Sequence, residues 1–266
     1  MSRAQWVLIG TDPRLRIAAD RLKAGGGLVV LHEQDHWSPE TDRLITENRP
    51  NRLVLPFRPM PGLPADGVLE LTGDIYAGQL DEGWKGALGK AGKDPLLYLN
   101  EERFVWENAG LTAEGFLASW YSGGGGSVRG KEFHIAGYGR VGKALARLLG
   151  PAGARVAVMA RSPAAVAEAN QEGFAVCPLT AGMKSVMPAV LINTIPSRWL
   201  DPEGPVRPDR ILDLASSPGC LAPGRRHEYY ELLPALPGKW FPEDAARLLA
   251  DALCRIDGER KGRNDA

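Results

Sequence analysis

Phe133-His134-Ile135-Ala136-Gly137-Tyr138-Gly139-Arg140-Val141-Gly142, continued by Lys143-Ala144-Leu145-Ala146-Arg147-Leu148-Leu149, is the stretch on which the fold turns. Its first four residues read as a buried strand. Glycines 137, 139 and 142 follow at once in the spacing G-x-G-x-x-G, and Val141, Ala144, Leu145, Leu148 and Leu149 recur at helical spacing. In a βαβ unit the first glycine makes the tight turn, the second lets a pyrophosphate approach the backbone, and the third lets helix and strand pack closely. The helix N-terminus then offers unpaired N–H groups to the phosphates. Gly150-Pro151 ends the helix, and Arg155-Val156-Ala157-Val158-Met159 supplies the next strand. Together these elements imply a dinucleotide-binding unit in which Gly137, Tyr138, Gly139, Arg140, Val141 and Gly142 face the cofactor; glycines that serve packing alone are the alternative.

The residues that end the second strand, Ala160-Arg161-Ser162, discriminate between nicotinamide cofactors. A carboxylate there would hydrogen-bond the ribose 2′-hydroxyl of NAD. Arg161 and Ser162 suit a 2′-phosphate instead, so NADP is expected over NAD, the alternative being that Arg161 is a solvated loop charge. Strands near 133–136, 155–160, 174–177, 189–192, 210–214 and 230–233 make a doubly wound, parallel Rossmann sheet. At their carboxyl ends, where such sheets bind ligands, lie Asn193-Thr194-Ile195-Pro196, Ala215-Ser216-Ser217-Pro218-Gly219 and Pro234-Ala235-Leu236-Pro237-Gly238-Lys239. Asn193, Thr194, Ile195, Ala215 and Ser216 are candidates to line the ribose and nicotinamide, although turn chemistry explains the same residues equally well.

Outward from this unit, the N-terminal part reads as a smaller, flavodoxin-like α/β domain over 1–111. Its strands are placed at 6–9, 28–31, 52–55 and 95–99. A helix opened by Pro13 buries Leu15, Ala18, Ala19 and Leu22, while 56–95 is too rich in Pro, Gly and charge to divide into elements. Thr112 reads as the cap of a helix to Tyr121, and GGGGS at 123–127 as a flexible break. The Rossmann domain then covers 112–257, closing with a helix from Pro242, and 258–266 is a charged, frayed tail.

At 266 residues the chain has room for two domains. Its 32 Lys and Arg balance 32 Asp and Glu without a basic stripe, which argues against a nucleic-acid partner. Apolar runs such as 28–31 fall far short of the roughly 20 residues of a membrane span, and the first residues do not read as a signal peptide, so a cytoplasmic protein is expected. Cys177, Cys220 and Cys254 form no C-x-x-C and read as small buried side chains. His32-Glu33-Gln34-Asp35-His36 matches H-E-x-x-H, but it follows a strand and precedes Pro39, so a polar loop is expected rather than a zinc site. His134 is expected to be a satisfied core histidine. Self-association into a homo-oligomer is left open by the sequence.

The run LTAEG (111–115), the fingerprint GYGRVGKALARLL, MARS (159–162), NTIP (193–196), LDLASSPG (212–219) and LPALPGK (233–239) resemble the A subunit of dipicolinate synthase over about 108–252. The first 107 residues share only its general layout. The resemblance implies an N-terminal α/β domain covering the cleft of a Rossmann domain. It also implies oxidation of dihydrodipicolinate to dipicolinate with NADP as hydride acceptor, in the mother cell of a sporulating bacterium alongside the flavoprotein-like B subunit of that synthase. The chain departs from that pattern at Cys220, where a second glycine is usual, and over 240–246, where a Lys-Thr-Ala-Gly-type segment is usual.

A dicarboxylate substrate calls for cations. Arg198 and Lys239, with Arg140, are the candidates near the rim, joined by Thr112, Ser216 and Ser217 as polar contacts. Arg198 and Lys239 read equally well as exposed charges. Catalytic roles fall to Lys239 and to Glu114, placed to receive the proton that aromatisation releases, unless Glu114 only completes a helix N-terminal box. Two other readings stand beside this one: an NADP-dependent reductase of a small hydroxy or keto acid, and a dinucleotide-binding subunit whose partner does the chemistry.

Overall fold

The computed structural model describes residues 5–179, 190–203, 208–216 and 218–264, so Ser217 and the expected strand residue 189 lie outside the described residues. The chain divides into two compact units, Met1–Asn108 with Phe241–Ala266, and Ala109–Trp240.

The first unit runs β1 (Gln5–Ile9), α1 (Pro13–Ala24), β2 (Leu28–His32), α2 (Pro39–Asn48), β3 (Arg52–Val54), β4 (Asp74–Ala77), α3 (Glu82–Lys90) and β5 (Leu96–Leu97). Its sheet is parallel throughout, in the flavodoxin-like order β2-β1-β3-β4-β5. α1 starts where the sequence places it: the Asp12 carboxylate accepts the Arg14 N–H at 2.9 Å and Pro13 holds the first turn. The undivided stretch 56–95 proves to hold β4 and α3. Asp81 caps α3 by accepting the Trp84 N–H at 2.9 Å, and the buried Trp84 indole donates to the Met60 carbonyl at 2.7 Å. Gly83, Gly86 and Gly89 mask this helix in the sequence, because each weakens helix propensity by about 1 kcal/mol. The expected strand 95–99 shrinks to β5, followed by a 3-10 turn at Tyr98–Asn100.

The C-terminal helix corrects the expected domain boundary. α8 (Pro242–Asn264) belongs to the first unit, packs along α1, and continues through Gly258 where a frayed tail was expected. Its apolar face includes the buried Ala245, Leu248, Leu249, Ala252 and Leu253. What fixes it there is charge: the Asp257 carboxylate accepts from Arg52 Nε, from the second Arg52 nitrogen at 3.0 Å and from the Tyr76 hydroxyl at 3.1 Å. Arg255 pairs with Glu101 at 2.6 Å and Arg260 with Asp74 at 3.4 Å. Cys254, expected to be buried, is exposed on this helix.

α4 (Glu102–Ser122) contains the point of division. It opens ten residues before the expected start at Thr112, because Glu101 accepts the Phe104 N–H at 2.8 Å; Thr112 is therefore a buried mid-helix residue and not a cap, and Glu114 is no part of an N-terminal box. The second unit continues with β6 (Glu132–Ala136), α5 (Arg140–Leu149), β7 (Arg155–Ala160), α6 (Pro163–Gln171), β8 (Ala175–Pro178), β9 (Val190–Asn193), β10 (Arg210–Asp213), β11 (Tyr230–Leu232) and α7 (Leu236–Trp240). All six strands are parallel, in the order β11-β10-β9-β6-β7-β8, which is the Rossmann order reversing beside β6. Phe116, Trp120, Phe133, Ile135, Leu145, Leu149, Val158, Ile192 and Leu212 form its core.

Two further expectations are corrected here. The glycine run is no free linker, since Gly125 lies flat on the Trp120 ring, where any Cβ would collide, and the Trp120 indole donates to the Gly126 carbonyl at 2.7 Å. The segment 234–239 is not wholly loop either, for α7 begins within it after Ala235, which holds a left-handed φ of 53°. Among the described residues no helix is long and apolar enough to cross a membrane.

Removing one member of a buried ion pair leaves the other charge without its partner, which typically costs about 3–5 kcal/mol. Asp257→Ala is therefore expected to destabilise the protein by about 3–5 kcal/mol, through the buried Arg52, as read from urea unfolding.

Candidate dinucleotide-binding site

The three glycines of the fingerprint stand in three different environments. Gly137, directly after β6, has φ +93°, and a Cβ on it would stand 2.5 Å from Thr194 Oγ1. Gly142 packs its α-carbon against the Gly137 carbonyl oxygen so closely that any side chain would collide with it. Gly139 faces open space, with nothing within 4 Å of the position a Cβ would take. It begins α5 as an extended residue, and no side chain caps that helix N-terminus. Uncapped N–H groups beside an open glycine are what a pyrophosphate requires, so these residues fit a dinucleotide.

A groove of about 620 Å³ opens beside them, lined by Gly137, Tyr138, Gly139, Met159, Ala160, Arg161, Ser162, Ala165, Leu179 and Ile195. Arg161 and Ser162 follow β7 on this groove, both exposed, and the Ser162 hydroxyl is not spent on capping α6. The groove gathers Gly137, Tyr138, Gly139, Arg161, Ser162 and Ile195 from the expected cofactor residues. Tyr138 contributes mainly backbone: its ring is buried edge-on to Phe174 at 6.4 Å, and burial together with the Glu172 charge pushes its phenol up to about 12. Arg140 is exposed in the first turn of α5, and Val141 packs into the core.

Two other expected cofactor residues, Thr194 and Asn193, are bonded into the scaffold. Thr194 Oγ1 donates to the Ala136 carbonyl at 2.8 Å, tying the loop after β9 to β6. Asn193 is fully buried: its amide donates to Ile195 O at 3.0 Å and Asp213 Oδ1 at 2.8 Å, and its oxygen accepts from Ile195 N at 3.2 Å and Trp199 Nε1 at 3.0 Å. With these partners it is a hub for its loop and has little left for a ligand. The residue missed in the sequence is Asp213, the last of β10. Its buried carboxylate also accepts from Ala215 N at 3.1 Å, Cys220 N at 2.6 Å and the Tyr230 hydroxyl at 2.8 Å, so one charge ties together the loops after β9 and β10 and the start of β11. Burial and this charge push the Cys220 thiol and the Tyr230 phenol well above their ordinary values. An acid closing an apolar strand, Arg-Ile-Leu-Asp, is the signal that marks such a residue. Met159, Ala165 and Leu179 were also missed; strand order places the ends of β7 and β8 side by side, which sequence alone does not reveal.

Of the expected substrate and catalytic residues, Arg198, Ser216, Lys239 and Glu114 are exposed on the second unit, outside the groove lining, and Lys239 lies 5.4 Å over the Trp240 ring. His134 is buried on β6 with Nε2 2.7 Å from Glu132 Oε1, whereas Nδ1 has no partner among the described residues, so it is only half satisfied. His32 ends β2 and bonds Thr41 Oγ1 at 3.1 Å, while His36 bonds Asp35 at 2.8 Å on the following loop; the helix that H-E-x-x-H requires is not there.

Two wholly parallel α/β units, with a Gly-x-Gly-x-x-Gly groove in the second, define a protein of the Rossmann-like, dinucleotide-binding fold class. The chain is similar to the A subunit of dipicolinate synthase from Bacillus subtilis (strain 168), 34% identical over 146 residues that span 50% of this chain and 47% of that one. The match thus covers about half the length of that relative and bears out the resemblance carried by the motifs. No family model matches the chain. In fold it is similar to the crystal structure of dipicolinate synthase, A chain, from Bacillus subtilis, with a TM-score of 0.81 at 22% identity over 99% of this chain and 98% of that one. A D-lactate dehydrogenase from Treponema pallidum shares the fold more distantly, with a TM-score of 0.59 at 13% identity over 97% of each chain.

The two open and closed glycines separate binding from folding. Gly139→Ala is expected to leave the thermal midpoint within about 2 °C of the parent and to weaken dinucleotide binding by about tenfold or more, because its backbone is extended and only ligand space is lost. Gly142→Ala is expected to lower both together, as measured by thermal unfolding and dinucleotide titration.

Proposed function

We infer that the chain is an NADP-dependent oxidoreductase subunit that oxidises dihydrodipicolinate to dipicolinate, pyridine-2,6-dicarboxylate, in association with a flavoprotein-like second subunit in the cytoplasm of a sporulating cell. The observation that carries the cofactor choice is the end of β7, where the groove presents Arg161 and the uncommitted Ser162 hydroxyl and its described lining holds no carboxylate. A guanidinium and a hydroxyl favour a 2′-phosphate, whereas a carboxylate would repel it. The substrate reading rests on the likeness to the dipicolinate synthase A subunit over 146 residues.

When bound, NADP supplies the hydride acceptor. The chain's own task is mainly positioning, since loss of hydride and a proton turns a dihydropyridine into an aromatic ring. The α5 N-terminus and Gly139 hold the pyrophosphate, Arg161 and Ser162 the 2′-phosphate, and Ile195 the apolar wall of the groove. Arg198 and Lys239 are the exposed cations available to substrate carboxylates, with Ser216 as a polar contact. Glu114 is the exposed carboxylate that takes the released proton.

A second reading, a dinucleotide-binding subunit whose partner carries the chemistry, is favoured by one observation: the described groove lining offers no carboxylate, imidazole or thiol as acid or base. Fluorescence titration of NADPH, repeated with dipicolinate, separates the two. Tighter NADPH binding with dipicolinate present is expected for the synthase; indifference favours the second reading. Arg161→Asp is expected to lower the ratio of NADP to NAD affinity by about tenfold or more, and an unchanged ratio would remove Arg161 from cofactor selection.

A further inference from the structure

In the first unit, two arginines stand at the carboxyl edge of its own sheet. The order β2-β1-β3-β4-β5 reverses at β1, and an open α/β sheet leaves a ligand crevice outside the carboxyl ends of the strands at such a point. The segments leaving β1 and β3 there are Gly10-Thr11-Asp12-Pro13-Arg14 and Leu55-Pro56-Phe57-Arg58.

Arg14 is only 9% exposed, although it lies in the first turn of a helix beside a loop. Its guanidinium carbon sits 3.7 Å above the Phe57 ring centroid. Nε and one terminal nitrogen donate to the two Asp12 oxygens at 2.9 and 2.6 Å. A ring thus fixes one face of the fork and a carboxylate fixes one edge, while the second terminal nitrogen makes none of its hydrogen bonds to the described residues. Burial raises the Asp12 carboxyl, but the bonds and charge of Arg14 and the charge of Arg58 outweigh it, so Asp12 is held below its ordinary value and stays ionised. Arg58 itself is exposed. Two guanidinium groups against one carboxylate leave this edge of the sheet net positive. Capping α1 requires only that Asp12 accept the Arg14 N–H, so it does not account for the stacking of the guanidinium on Phe57 or for a second arginine in the facing loop.

We propose that Arg14, oriented by Asp12 and Phe57 and assisted by Arg58, forms a carboxylate-binding site on the first unit that takes one carboxylate of a small planar dicarboxylate. The proposal deepens the functional reading above and rests on its substrate class. A guanidinium with one edge fixed presents its remaining N–H groups in the planar fork that matches a carboxylate, with little rotamer entropy left to lose. Arg14 and Arg58 belong to the first unit, whereas the cations sought from sequence alone, Arg140, Arg198 and Lys239, belong to the second.

Isothermal titration of pyridine-2,6-dicarboxylate into the full chain saturated with NADPH tests it, using the parent, Arg14→Lys and Arg58→Gln. Arg14→Lys keeps the charge and loses the fork, and is expected to weaken dicarboxylate binding by about 10- to 100-fold while NADPH affinity stays unchanged. Arg58→Gln, on an exposed side chain, is expected to weaken it several-fold, and decides the matter should Arg14→Lys lower the thermal midpoint. Dicarboxylate affinity within about twofold of the parent in both variants would overturn the site and leave the functional reading standing. A parent chain that binds NADPH but no dicarboxylate would overturn both.

Discussion

The tightest constraint in the second unit is the approach of Gly142 to the Gly137 carbonyl, a contact that leaves no room for a side chain. It lets α5 start directly against the end of β6, so that the helix N-terminus comes to the carboxyl edge of the sheet. Everything else in the second unit is arranged around that edge. The open flank of Gly139, the apolar wall from β7 and β8, and Arg161 with Ser162 become one groove only because helix and strand meet this tightly.

Among the described residues, a buried carboxylate in each unit fastens distant segments together. Asp213 gathers the loops after β9 and β10 and the Tyr230 hydroxyl, and Asp257 fastens α8 to Arg52 and Tyr76. A buried charge is tolerated only when surrounding donors replace the water it loses, so each acid dictates where several chain segments lie. Asp213 spends its acceptor capacity on the protein, which is why Asn193, a natural candidate for a ligand contact, is committed to the scaffold.

Much of this was legible in the sequence. The parallel strands of the second unit, the placing of its three glycines between β6 and α5 and the Arg-Ser pair after β7 all follow from local pattern, because each depends on residues a few positions apart. α3 was hidden by its own glycines, and the early start of α4 by a Glu101 cap that the stronger-looking Thr112 signal obscured. Gly125 and Gly126 read as a linker because only the folded chain brings them onto Trp120.

What the sequence by itself determined is the class of fold and the nature of the groove, since periodicity, the glycine fingerprint and the residues that end a strand act locally. What only the tertiary structure decided is the company that distant residues keep. Arg52 and Asp257 are 205 positions apart, and their pairing assigns the last helix to the first unit. Arg14 meets Phe57, which comes from another loop, only in the folded chain. The physical reason is that burial of charge is settled by partners far along the chain, and no local pattern records them.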